Sequence, residues 1–80
     1  MDERLKAHLR ELAESNSFVP PKQVKALAKL GVKPSTWKDC GGAGVELKVY
    51  YRLGVDDYAG IYVRGTLPMR QWLTKHSIDP

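Results

Sequence analysis

Eighty residues with 42% hydrophobic and 28% charged side chains make one small folded domain, residues 1–80, too short for a second core. A net charge of +4 and a pI near 9.4 favour an anionic partner, nucleic acid first, and count against an acidic decoy of nucleic acid. The one cysteine, Cys40, excludes a disulfide framework and fits a reducing cytoplasm; with only His8 and His76 beside it no usual structural zinc site can be built, so no metal or other cofactor is expected.

The N-terminus is charged and carries no apolar signal region, and no run approaches the length of a membrane span, so no membrane partner is expected. Residues 2 to 14 have helical period: Leu5, Leu9 and Leu12 form one stripe, with Ala13 at its edge. Asp2 and Glu3 suit the first turn, and Asp2 with Lys6 and Arg10 with Glu14 are spaced for surface ion pairs. The "SNS" at 15 to 17 ends the helix.

Pro20 biases Val19 to an extended conformation, whereas Pro21 suits a first helical turn. A second helix is expected from 21 to 30, with Val24, Leu27, Ala28 and Leu30 on one side and Lys22, Lys25 and Lys29 on another. Gly31 supplies the left-handed residue that stops it, and Val32 can pack back over the last turn. Pro34 and Ser35 restart the chain, and Ser35 or Thr36 can cap a short third helix that reaches Asp39 or Cys40 before "GGAG" breaks it.

The period then changes. Val45, Leu47, Val49, Tyr51 and Leu53 alternate with Glu46, Lys48, Tyr50 and Arg52, which predicts a half-buried strand. "GVDD" is a turn, and "YAGIYVRG" returns with Ile61 and Val63 on one face and Tyr62 and Arg64 on the other. Thr66 can cap a last helix over 67–76, with Pro68 in its first turn and Met69, Trp72, Leu73 and His76 on one face. "SIDP" is expected to fray.

Three helices, a two-stranded ribbon and a helix is the element order of winged helix-turn-helix domains. "KALAKLGVKPSTWK", residues 25 to 38, resembles the helix-turn-helix of excisionase-like and MerR-like proteins through Leu30, Gly31, Val32, Pro34, Ser35, Thr36 and Trp37. The resemblance implies a small α+β, winged-helix-like fold and a DNA-binding regulator or recombination accessory factor of a mobile element. On that fold Ser35 and Thr36 would present hydroxyls and backbone N–H groups to a phosphate. Lys22, Lys25, Lys33 and Lys38 would neutralise neighbouring phosphates, and Arg52 and Arg64 would do so from the ribbon. Duplex DNA ranks ahead of RNA as the partner.

Two alternatives stand beside this reading. The hairpin at 45–65 and the face of Met69, Trp72 and Leu73 would form a docking surface on a non-enzymatic protein-binding module, such as a small phage or plasmid inhibitor of a host protein. The other rests on "VYYRLGVDDYAGIYV", residues 49 to 63, which is similar to the central hairpin of RelE/ParE-like toxins through Tyr51, Arg52, Asp57, Tyr58, Ile61 and Tyr62. That similarity implies RNA cleavage with Arg52, Arg64 and Tyr62 as the reactive set.

No catalytic residue is otherwise expected, and the leading reading is not an enzyme. Cys40 has no base near it in sequence and is read as a small buried hydrophobe. "GGAG" matches neither the dinucleotide nor the Walker pattern and is read as a linker. Asp56 and Asp57 are turn formers, His8 and His76 are packing or surface residues, and Trp37 and Trp72 belong to the core.

Overall fold

Asp2 opens the first helix, α1 (Glu3–Glu14): its carboxylate accepts a hydrogen bond from the Arg4 amide at 2.8 Å. The leucine stripe then buries Leu9 completely and lays Leu5, Leu12 and Ala13 against the core. The expected intrahelical ion pairs do not form. Lys6 pairs with Glu3 at 3.4 Å, and Arg10 reaches across to Asp57 at 2.7 Å. These coordinates, a computed structural model, describe residues 2–41 and 45–80.

Helix α2 (Pro21–Lys29) starts on its proline and ends as the sequence predicts. Gly31 sits at φ +88°, its amide donates to Ala28 O at 3.0 Å, and the Val32 amide donates to Leu27 O at 2.9 Å. This pair of bonds is a Schellman ending, with Val32 buried over the last turn. Val24 and Leu27 face the core, but Leu30 at the C-cap swings outward and is 76% exposed.

The chain then forms β1 (Thr36–Asp39), β2 (Glu46–Gly54), β3 (Asp57–Arg64) and α3 (Leu67–Lys75). The three strands make an antiparallel meander in the order β1-β2-β3. The winged-helix-like architecture of three N-terminal helices followed by a hairpin is therefore wrong. The predicted third helix is a strand, with Trp37 opposite Val49 and Lys38 opposite Lys48. The four residues between Ser35 and Cys40 are too few to repay helix nucleation. Thr36 and Trp37 favour an extended chain, and pairing with β2 buries Trp37 to 8% exposure. The Ser35 hydroxyl donates to Tyr50 O at 3.0 Å and that of Thr36 to Asp79 O at 2.7 Å, so neither caps a helix.

The hairpin turns through Asp56 at φ 58°, a left-handed position that aspartate tolerates. Thr66 caps α3 through a bond from the Met69 amide at 3.2 Å. The C-terminal segment does not fray. Ser77 takes φ 58°, the Ile78 amide donates to Leu73 O at 3.0 Å, and Ile78 is buried. Trp37 Nε1 then donates to Ile78 O at 2.9 Å, which fastens the segment to the outer edge of β1. On the opposite edge Val19 bridges β3 in parallel, its amide donating to Tyr62 O at 2.8 Å.

Alternation divides the sheet into two faces. Trp37, Leu47, Val49, Tyr51, Leu53, Ala59, Ile61 and Val63 point inward and share one core with Leu9, Val24, Leu27, Met69 and Leu73 of the helices. All three helices thus cover one face, and the other is left open. Among the described residues no helix is long and apolar enough to cross a membrane.

Candidate functional site

The open face carries the residues at the even positions of the three strands. β1 contributes Thr36 and Lys38. β2 contributes Glu46, Lys48, Tyr50 and Arg52, and β3 contributes Tyr58, Gly60, Tyr62 and Arg64. Four cations stand there against one carboxylate, Glu46, among three tyrosines. Phe18, on the segment beside β3, adds a fourth ring, edge-on to Tyr62 with centroids 6.4 Å apart.

The rings and cations are interleaved. Lys48 Nζ lies 5.2 Å from the Tyr62 centroid and 5.7 Å from that of Tyr50. The Arg64 guanidinium stacks over Phe18 at 4.3 Å. These distances are within cation–π range. Lys38 lies directly across the strand from Lys48, a like-charge pairing that opposes sheet stability. Neither lysine makes an ion pair among the described residues.

Gly60 shapes the floor of this face. A Cβ there would lie 2.6 Å from Lys48 Cε and 3.1 Å from Tyr50 Cε1, so the missing side chain lets both lie across β3. Beside them Thr36, Lys38, Tyr50 and Tyr58 line a shallow depression. Tyr58 is 51% exposed.

The predicted binding residues fall into two groups. Thr36, Lys38, Arg52 and Arg64 belong to the open face, together with Lys48, Tyr50, Tyr58 and Tyr62. Lys22 and Lys25 sit on α2, in the helical layer. Lys25 lines a groove between α2 and α3 with Ala28, Lys29, Lys33, Trp72 and His76. Ser35 precedes β1 with its hydroxyl engaged by Tyr50 O, and so is not the helix tip that was expected to meet a phosphate.

The alternative sets are also dispersed. Arg52 and Arg64 stand at opposite ends of the face, about 20 Å apart along the strands, so they do not converge on one bond with Tyr62. Of the alternative docking surface, Met69 and Leu73 are fully buried and Trp72 is partly buried, whereas the hairpin keeps Val45, Val55 and Tyr58 exposed. Cys40 is exposed rather than buried, and its thiol donates to the Lys38 carbonyl at 3.8 Å. Of "GGAG", residues 42–44 lie outside the described residues. Among the described residues no group of three or more His, Cys, Asp or Glu side chains is placed to hold a metal.

The residues missed in the sequence are Lys48, Tyr50 and Tyr58 as parts of a site. Their alternation with the core residues was visible. The strand that brings Lys38 beside them was not. No family model matches the chain, and comparisons with curated proteins and solved structures find no match.

Proposed function

We propose that the protein binds single-stranded nucleic acid on the open face of its sheet and catalyses no reaction. The single observation that carries this reading is the Lys38–Lys48 pair, which makes no ion pair among the described residues and stands among Tyr50, Tyr58 and Tyr62 on a face whose one carboxylate is Glu46. A merely solvated face would offset like charges with acidic neighbours. A phosphate backbone supplies that offset, and unpaired bases stack on tyrosine faces whatever their sequence. Bases held in a duplex expose no ring faces, so the tyrosines favour a single strand over duplex DNA. The spread from Arg52 to Arg64 suits a polymer rather than a small molecule. The lone exposed thiol suits a reducing, cytoplasmic setting, and an accessory role in recombination or regulation suits a module of this size.

The test is fluorescence anisotropy with labelled single strands and a duplex of equal length, across a salt series. Single strands are expected to bind more tightly, with affinity falling steeply with salt. Tyr58→Ala removes an exposed ring and is expected to weaken binding by about 1–3 kcal/mol while leaving the fold intact. Equal affinity of Tyr58→Ala and the wild type, or no binding at low salt, would overturn the proposal.

A further inference from the structure

The cations of the helical layer are not isolated from the open face. Lys33, just past the end of α2, borders two depressions. One is the groove with Lys25, Lys29, Trp72 and His76. The other reaches Arg52 across Leu30 and Gly31. Arg52 pairs with Tyr58 across β2 and β3, so it belongs to the open face. A run of positive charge therefore passes from Lys38 and Lys48 to Arg52, around the rim at Lys33, and on to Lys29 and Lys25.

The rim is low at Gly31, where even a Cβ would meet no atom within 4 Å. Two aromatic rings line the groove: Trp72 and His76, tilted 30° to each other with centroids 4.2 Å apart. Lys25, Lys29 and Lys33 make no ion pair among the described residues. Among the described residues that line the two depressions, the one carboxylate is Asp2, which also caps α1. Three lysines that line one groove and make no ion pair among the described residues repel one another unless an anion lies between them.

Resting on the single-strand reading above, we propose that one nucleic-acid strand leaves the open face past Arg52, crosses the rim at Lys33 and runs into the α2–α3 groove. The occupied site is then longer than the sheet alone. A strand confined to the sheet touches only the tyrosine face, whereas a longer strand adds phosphate contacts to the three lysines.

The experiment compares oligothymidylate and oligouridylate of roughly 4 and roughly 16 nucleotides, lengths that bracket site sizes of comparable modules. For the wild type, the long strand's salt dependence should exceed the short strand's by about two units, from about 0.7 per phosphate over three lysines. In Lys25→Gln/Lys29→Gln/Lys33→Gln this excess should vanish while short-strand affinity stays unchanged. If that variant fails to fold by circular dichroism, Lys29→Glu alone, on the exposed side of α2, should reduce the excess by about one unit. A long-strand slope that is the same in variant and wild type, with the short strand still bound, overturns the track and leaves the sheet reading standing. A wild type that binds neither length overturns both.

Discussion

The two faces of the sheet are built from alternate residues of the same strands, yet they obey different rules. The inner set is apolar and closed over by three helices, with Leu47, Val49, Tyr51 and Val63 fully buried. The outer set places like charges opposite each other and leaves rings facing solvent. Inside, every group is satisfied by its neighbours through packing. Outside, charge and stacking surface are left over, and the surplus is what a ligand can use. Tyr51 is the exception on the inner side. It is fully buried, and its hydroxyl has no hydrogen-bond partner among the described residues.

The contrast is most sharply tested on β1, where Trp37 and Lys38 are adjacent. Trp37→Ala removes a core ring and the anchor of the C-terminal segment, and is expected to lose about 3–5 kcal/mol in urea unfolding. Lys38→Ala should change stability by no more than about 0.5 kcal/mol. Similar losses at both positions would break the distinction between the faces.

Next in size is an effect confined to the outer face. Gly60→Val places a side chain against Lys48 and the Tyr50 ring. It is expected to displace that ring and weaken single-strand binding by about 1–3 kcal/mol, the worth of one stacked base. Stability should move by no more than about 1 kcal/mol, since a valine suits a strand. Binding measured beside unfolding separates the two effects, and undiminished affinity would remove Tyr50 from the site.

The smallest effect sharpens the inner side. Tyr51→Phe deletes an unpaired buried hydroxyl and is expected to raise stability by about 1 kcal/mol. Burial also pushes the Tyr51 phenol above its ordinary value of 10.0. The unfolded chain then releases this proton first as pH rises, so the wild type should lose stability above about pH 10. Denaturation at pH 8 and pH 11 checks the sign: the advantage of Tyr51→Phe should widen at the higher pH.

Much of the fold follows from local signals. The leucine stripe, Gly31 with Val32, and the alternation through β2 and β3 each specify an element over enough residues to dominate. β1 has only four residues, too few to show a period, and Pro34-Ser35-Thr36 imitates a helix start. Its true state is decided by β2, which offers Trp37 a partner in Val49. The same error scattered the candidate site. Arg52 and Arg64 lay on a face already visible in the sequence. Lys38 joins them only because β1 pairs, and Lys22 and Lys25 belong with them only on a helix-turn-helix that does not form. The docking of Ile78 against Trp37 is a contact across 41 residues, beyond any local pattern.

The fastening of Asp79 to β1 and of Val19 to β3 has a bearing on what can approach this molecule. Extended peptides commonly recruit a host by zipping onto a bare border of its pleated layer, amide by amide. Here each border is partly taken, by Trp37 N donating to Asp79 O within β1 and by Tyr62 O accepting from Val19 N near the end of β3. A newcomer finds a shortened ladder to extend, and self-templated fibre growth is hindered by the same two clasps.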